Sequence, residues 1–266
     1  MPEVTAAAST EAEAESMPTM GFLEHLEELR KRIVYSVIAV AVGSGACWGY
    51  REKIYGIMQK PIMDALKANG LSEKLVYLNP TEPFNLYLKI AALAGLFLTS
   101  PFVLYQVWAF IAPGLYRNEK RYVMPFMFST ITLFSLGGYF GYRVAYPRAL
   151  DFLIGFGKQF QPMITIGEYT HLFLSIVLGM GLIFEMPILV FFLAFMGILS
   201  PGFMLKHFRY AVLIIFIIAA IVTPTPDVFN MCVFASPMLA LYALSVGVAW
   251  LVHPKQRQAR KEKQAK

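Results

Sequence analysis

Acidic side chains set among apolar or basic residues are the groups of this chain best suited to chemistry. Glu185 lies near the middle of the apolar run 169–199, and Pro187 follows it two residues later. A carboxylate at that depth of a membrane costs on the order of a few kcal/mol unless it is protonated, paired or beside water. Because Pro187 frees backbone groups at the same depth, the two residues indicate a polar site inside the membrane, used by a substrate or a partner. The alternative is a glutamate held by hydrogen bonds to neighbouring helices.

Three further acids lie in basic surroundings. Glu27 and Glu28 fall just before the first apolar run, each four residues ahead of a base (Lys31 and Arg32), and Glu119 falls within Tyr116–Arg121. Pairing with a lysine or arginine one helical turn away accounts for any one of these acids alone. Together they favour a cationic ligand. Arginine would suit such a site, because its guanidinium stays charged and pairs bidentately with a carboxylate.

The segment 20–32, ahead of the first apolar run, has the periodicity of a helix. Phe22, Leu26, Leu29 and Ile33 are spaced four, three and four residues apart, which places them on one helix face. Most charged residues of the segment fall outside that face. A helix of this kind lies along a membrane surface and leads into the bilayer, so the segment is predicted to be an interfacial anchor.

The composition is that of a membrane protein. Of the 266 residues, 57% are hydrophobic and 15% are charged, and the mean hydropathy is +0.56. A soluble domain of this size needs a more polar surface. The sequence has no P-loop, no His-Glu-x-x-His, no Gly-x-Ser-x-Gly and no Gly-x-Gly-x-x-Gly in a strand–helix context. These absences argue against an ATPase or a metalloprotease, and we expect no catalysis.

Metal, nucleic-acid and disulfide chemistry have little support in the sequence. The four histidines are scattered, and Cys47 and Cys232 form no Cys-x-x-Cys, so no metal site is expected. No interleaving of basic and aromatic residues argues for nucleic acid. The two cysteines could pair only if the first and sixth spans touched, and free thiols are the expected state.

Six apolar runs are candidates for membrane-spanning helices. They comprise residues 33–50, 84–108, 123–142, 169–199, 210–222 and 228–252. Within them, Gly45 and Gly49, and Gly137 and Gly141, have the four-residue spacing that permits close helix packing. The fifth run is about 20 Å long as a helix, too short to cross an ordinary bilayer upright. Two prolines in Thr223–Asp227 cannot continue a helix, so the last two runs are predicted to form a tight hairpin.

Basic residues are biased toward one side of this topology. With the N-terminus inside, the inner segments hold fourteen lysines and arginines and the outer segments hold eight, which puts both termini in the cytoplasm. The outer loops 51–82 and 143–168 each contain an amphipathic stretch, 60–66 and 146–153, predicted to be a surface helix. Residues 1–19 are predicted to be a disordered acidic tail, 20–252 the membrane domain, and 253–266 a basic tail.

Four motifs, together with the six-run plan, resemble the TatC family, the polytopic receptor of the twin-arginine protein translocase. The motifs are Phe22–Arg32 (FLEHLEELRKR), Ser100–Leu115 (SPFVLYQVWAFIAPGL), Phe184–Pro187 (FEMP) and Thr223–Asp227 (TPTPD). The resemblance covers nearly everything from residue 20 to residue 252, and the second motif is its most specific part. The chain departs from the family pattern at Asn118 and at Asn230-Met231, and the second departure puts partner affinity in question.

The resemblance implies an all-α, glove-shaped bundle of six transmembrane helices with a concave face, two short final spans and no cofactor. It implies a receptor in the bacterial cytoplasmic (inner) membrane that binds the twin-arginine signal peptides of folded precursors. The receptor would pair with TatB-like and recruit TatA-like single-span subunits, in several copies, for export driven by the proton-motive force. The implied signal-binding residues are Glu28, Glu119, Arg30, Phe110 and Leu115. The implied intramembrane polar site is Glu185, and the implied partner and tip contacts are Asp227 and Pro61.

Two other functions are open on the residues alone. A proton- or ion-coupled small-solute permease would use Glu185 as its coupling carboxylate, but the chain has neither repeat symmetry nor paired broken helices. A passive scaffold accounts less well for the acids. We therefore expect a signal receptor and not an enzyme.

Overall fold

The computed structural model of the chain describes residues 22–72, 74–111, 123–157, 159–160, 163–195, 198–222 and 228–252. These residues form ten α-helices and one short π-helical turn, Gly141–Ala145. The helices are α1 Phe22–Trp48, α2 Arg51–Ala68, α3 Glu82–Ile111, α4 Val123–Phe140, α5 Tyr146–Phe156, α6 Ile166–Ile183, α7 Met186–Phe195, α8 Pro201–Lys206, α9 Phe208–Val222 and α10 Val228–Val252. The described residues contain no β-strand, only an isolated parallel bridge between Val76 and Thr165. The predicted all-α class is confirmed.

The described residues of the six predicted apolar runs are helical except at the turns 49–50 and 184–185 and the bend 198–199. Within the described residues, three segments are long and apolar enough to cross a membrane: Glu82–Ile111, Ile166–Ala194 and Met231–Trp250. The first helix and α2 meet at 87°, and they reach that length and composition only as a bent pair. As the thirteen-residue fifth run predicted, α9 is a shorter apolar helix.

The predicted anchor and the first apolar run form one continuous helix, α1. Its 27 residues give a length of about 40 Å at 1.5 Å per residue, more than a bilayer core requires. Leu23, Leu26 and Ile33 are exposed, as a helix lying against lipid requires. The extra length allows the first turns of α1 to lie beyond the hydrocarbon layer.

At one end of the bundle, α2 and α5 pack on each other and against α3 and α6. We call this the capped end. Ile62, Tyr146, Ala149, Tyr169 and Ile176 are almost fully buried there or just below it. The opposite end holds the beginning of α1 and the end of α3. Both predicted surface helices exist, but the first is longer than predicted, because α2 continues on both sides of its internal proline.

That proline, Pro61, explains how α2 is held. A proline has no N–H, so the carbonyl of Ile57, four residues earlier, loses its helical donor. The Tyr142 hydroxyl supplies a replacement, donating to the Ile57 carbonyl oxygen at 2.8 Å. Tyr169 donates in the same way to the carbonyl oxygen of the next residue, Met58. Two tyrosines from the π-turn and α6 therefore fasten α2 across the capped end.

The prolines inside α3 and α10 are accommodated by serines. Each follows a serine whose hydroxyl donates to the carbonyl that the proline leaves without a donor. The two hydrogen bonds are Ser100 Oγ to Phe97 O at 2.8 Å and Ser236 Oγ to Val233 O at 3.0 Å. Such bonds satisfy the backbone in surroundings where water is scarce, so both helices continue through their prolines.

A close antiparallel crossing joins α1 to α3. A Cβ at Gly95 would lie 2.6 Å from Ser44 Cα, and a Cβ at Gly43 would lie 2.6 Å from Thr99 Cγ2. No side chain fits between the backbones at this point. By contrast, a Cβ at Gly45 would meet no atom of the described chain within 4 Å. The crossing therefore uses Gly43 and not Gly45.

Candidate functional site

Three polar side chains from α1 and α3 form a network at the opposite end of the bundle. Arg32 donates through one terminal nitrogen to Gln106 Oε1 at 2.9 Å and through the other to Glu28 Oε1 at 3.2 Å. Gln106 is buried, and the side chains of Glu28 and Arg32 are only 17% and 29% exposed. Arg32 therefore holds Glu28 in place and is itself oriented by an amide 74 residues further along the chain.

The second oxygen of Glu28 is unused. Glu28 Oε2 is buried and has no hydrogen-bond partner among the described residues. A carboxylate accepts about four hydrogen bonds through its two oxygens, so Glu28 retains capacity for another donor. Burial makes that capacity costly to leave empty, because an unsatisfied charged acceptor keeps its desolvation penalty. A cationic donor is the partner that this oxygen fits.

The close crossing at Gly95 sets the geometry of the network. Gln106 follows Gly95 by eleven residues and Arg32 precedes Ser44 by twelve. At 1.5 Å per residue, both lie about 17 Å from the crossing in the same direction, because the helices are antiparallel. The two side chains therefore meet only because the backbones touch at Gly95.

Phe110 and Arg30, two predicted signal-binding residues, have different surroundings. The Phe110 ring stacks on His25, with centroids 4.3 Å apart and planes 17° apart, one helical turn beyond Gln106. Arg30 is exposed and has no partner among the described residues. The structure thus brings Phe110 next to the start of α1, close to Glu28 in sequence, whereas Arg30 stands apart from the network.

Glu119, Leu115 and Asp227 lie outside the described residues, so their predicted roles stay predictions. Pro61 belongs to the capped end, at the other end of the bundle from Glu28. There its missing N–H leaves the Ile57 carbonyl oxygen to accept a hydrogen bond from the Tyr142 hydroxyl. Pro61 takes no part in the network of Glu28.

Glu185 occupies a break between α6 and α7. The turn comprises Phe184 and Glu185. The next helix begins at Met186, and its second residue, Pro187, has no N–H to offer. Glu185 is half-buried, and its Oε1 has no hydrogen-bond partner among the described residues. The predicted alternative, a glutamate held by hydrogen bonds to neighbouring helices, does not describe this oxygen.

Small residues and aromatic rings place this break against the rest of the bundle. A Cβ at Gly137 of α4 would lie 2.8 Å from Phe184 Cβ, so the backbone of α4 packs directly on the turn. Trp108, two residues after Gln106, packs edge-on against Phe192 of α7 at 5.6 Å, and its indole N–H donates to Thr130 at 3.1 Å. The end of α3 is therefore linked both to α1 and to the helix that follows Glu185.

Two members of the network were not among the predicted site residues. The four-residue spacing predicts the ion pair of Arg32 with Glu28, which the structure confirms, whereas Gln106 is predicted only as one letter of a motif. The signal that could have identified Gln106 was its side-chain amide, a polar group near the end of the apolar run 84–108 and two residues before Trp108. Among the described residues, no three histidines, cysteines or acids lie close enough together to hold a metal ion. Cys47 and Cys232 are both free thiols.

Comparison with known proteins places this arrangement in a family. The family model described as Sec-independent protein translocase protein (TatC) matches residues 24–237. The chain is 63% identical over 263 residues to the Sec-independent protein translocase protein TatC of Koribacter versatilis (strain Ellin345), covering 99% of this chain and 97% of the relative. It is 40% identical to the protein of the same name from Carboxydothermus hydrogenoformans, covering 89% and 96%.

A solved structure agrees with these relatives. A crystal structure described as the twin arginine translocase receptor TatC superposes with a TM-score of 0.74 at 36% identity, covering 86% of this chain and 99% of that one. The fold, the break at Glu185 and the network at Glu28 thus belong to a membrane protein of the Tat protein transport system, and not to an enzyme. The chain belongs to the TatC family of translocase components.

Proposed function

We propose that this chain is the signal-receptor subunit of its translocase and binds the twin-arginine signal peptides of folded precursors. The observation that carries the proposal is the buried, unpartnered Oε2 of Glu28. A guanidinium matches it in charge and planar geometry. Phe110, stacked on His25 one turn from Gln106, would offer an apolar surface to the residues beside the arginines.

A pair of arginines needs more than Glu28. Arg32 already occupies one of the two Glu28 oxygens, so Glu28 has only Oε2 left and accepts one further guanidinium. The second arginine then requires another carboxylate, and we assign this role to Glu119. Leu115 would line the same site, and the exposed Arg30 would hold the beginning of α1 at the anionic membrane surface.

For the membrane arrangement we propose six spans with both termini in the cytoplasm. The third and fifth spans would be α4 and α9, and the capped end would face away from the cytoplasm. Glu185 would form a polar contact with a partner inside the membrane. Asp227 and Pro61 would lie on the side where TatB-like and TatA-like single-span subunits assemble, in several copies, in the bacterial inner membrane. Residues 1–19 and 253–266 would be tails outside the 20–252 membrane domain.

The small-solute permease is not supported, since the chain belongs to a family of protein translocase components. Glu185 then has no solute to couple.

A cross-linking experiment tests the receptor role. Glu28→Gln keeps the shape of the side chain but removes its charge, and it should abolish cross-linking of a twin-arginine precursor to the membrane-embedded chain. Glu27→Gln is the matched control, because Glu27 is exposed and pairs with Lys31 at the surface. Both variants should insert into the membrane in normal amounts. Equal cross-linking by Glu28→Gln and the unchanged chain would contradict the proposal, as would equal cross-linking of a precursor with two lysines in place of its arginines.

A further inference from the structure

A polar cleft opens at the capped end between α2 and α5. It has a volume of about 290 Å³ and is lined by charged residues from three elements. Its charged lining residues are Lys60 and Asp64 from α2, Arg143 from the π-turn, and Asp151 from α5. Uncharged residues complete the wall: Tyr142, Pro61, Pro147, Ala65 and Ala68. The cleft is distinct from the network at Glu28, which lies at the opposite end of the bundle.

The four charged side chains of this cleft do not pair with one another. Among the described residues, none of the four forms an ion pair within 4.0 Å or a side-chain hydrogen bond. The cleft therefore presents two cations and two carboxylates to whatever enters it. A ligand of a single charge would be attracted by one half and repelled by the other. A ligand carrying both an anionic and a cationic group matches the whole set.

An apolar groove of about 250 Å³ adjoins the polar cleft, and Tyr142 lines both. On the groove side, its wall is formed by α2, α3, α4 and α6, including Ile57, Ile90, Ala94 and Phe97. From Ile90 to Phe97 the groove follows α3 for about 10 Å at 1.5 Å per residue. Because this part of α3 belongs to a membrane-crossing segment, the groove lies at hydrocarbon depth.

The order of the two cavities along the membrane normal is the order of groups in a phospholipid. Charged groups lie beyond the end of α4, apolar walls lie below them, and Tyr142 stands at the boundary with its hydroxyl on the Ile57 carbonyl. Tyrosine is the residue type enriched at this depth, where a ring meets lipid and a hydroxyl meets polar groups. Together the cavities fall within the roughly 300–1,000 Å³ typical of small-ligand sites.

We propose that the polar cleft and the apolar groove bind one zwitterionic aminophospholipid. Its phosphate is held by Lys60 and Arg143, its ammonium faces Asp64 and Asp151, and one acyl chain lies along α3 in the groove. The two carboxylates provide the selectivity, since they attract an ammonium and disfavour a lipid that carries only negative charge. The bound lipid then fills the space between α2 and the π-turn from the membrane side.

Lipid retention tests the headgroup assignment. The full-length chain is reconstituted in equimolar phosphatidylethanolamine and phosphatidylglycerol and extracted in mild detergent, and the retained lipid is counted by native mass spectrometry. We expect phosphatidylethanolamine to be retained. In Asp64→Asn/Asp151→Asn, its retention should fall about tenfold, the loss expected for a charge-assisted contact, while phosphatidylglycerol retention rises. The matched control Glu52→Gln/Glu168→Gln removes two exposed carboxylates outside the cleft and should leave both values unchanged.

A second variant pair tests the acyl-chain assignment. Ala94→Phe fills the groove, whereas Ala92→Phe adds the same ring to an exposed position of the same helix. Lipid retention should fall in the first and persist in the second, with equal elution volumes and thermal unfolding showing that both are folded. Equal retention of the two lipids by the unchanged chain would overturn the proposal. So would an Asp64→Asn/Asp151→Asn variant that keeps its phosphatidylethanolamine, or a groove whose copurifying occupant is a peptide.

Discussion

Gln106 gives the sharpest test of the way the structure prepares Glu28. Gln106→Ala removes the amide oxygen that orients Arg32 and leaves one guanidinium nitrogen without its buried acceptor. A hydrogen bond to a charged group contributes about 1.5–3 kcal/mol. Arg32 is 29% exposed, so water recovers part of this, and the expected loss is about 1–2 kcal/mol.

If this free energy is lost from the positioning of Glu28 for its ligand, the affinity for a twin-arginine peptide should fall about 5- to 30-fold. The assay is the binding of a fluorescent signal peptide to the chain in nanodiscs, measured by anisotropy. Gln106→Glu keeps an acceptor at the same position and should bind within a few-fold of the unchanged chain. Gln59→Ala, an amide removed from α2 at the capped end, is the matched control and should have no effect.

A double-mutant cycle separates positioning from general stability. Once Arg32 is replaced by Gln, the further change Gln106→Ala should cost little, because the two side chains act through one hydrogen bond. The reasoning would be refuted if Gln106→Ala left peptide affinity unchanged while Glu28→Gln abolished it. In that case Glu28 is placed without help from α3.

Two further predictions concern the packing that holds this arrangement. Gly95→Val should lower the thermal unfolding temperature by several degrees, as overpacking of about 1–3 kcal/mol does. Gly45→Val should leave it unchanged, because a Cβ at Gly45 meets no atom of the described chain within 4 Å. Equal unfolding temperatures of the two variants would contradict the close crossing. Tyr142→Phe should lower the free energy of unfolding by about 0.5–1.5 kcal/mol. This loss should shrink in a Pro61→Ala background, because the new backbone N–H of residue 61 donates to the Ile57 carbonyl. An undiminished loss there would show that the Tyr142 hydroxyl acts elsewhere.

Much of the fold could be predicted because its causes are local. Apolar runs and prolines gave the helices and their ends, including residues 228–252, which form α10 as predicted. The polar break at Glu185 was also visible, since an acid and a proline interrupt one apolar run. Each of these features depends on residues within a few turns of one another, so a single stretch of sequence contains its whole explanation.

The contacts that build the candidate site could not be predicted in this way. The bond between Arg32 and Gln106 spans 74 residues, and nothing in either stretch identifies the other. Gly95 permits their meeting and lies in the spacing Ala91-x-x-x-Gly95-x-x-x-Thr99, yet Gly45, which has the same spacing to Gly49, faces open space. Spacing within one helix indicates a possible close approach, but the partner helix decides which glycine is used.

The separation of Arg32 from Gln106 also bears on how the chain is made. During synthesis α1 is complete well before α3 emerges, so Arg32 reaches the membrane while its amide partner does not yet exist. Glu28, one helical turn away, is available at once, and the two charges can neutralise each other as soon as α1 forms. The pairing of these two charges in the nascent first helix therefore needs no later segment. The arrival of α3 then turns a temporary local pair into a fixed one.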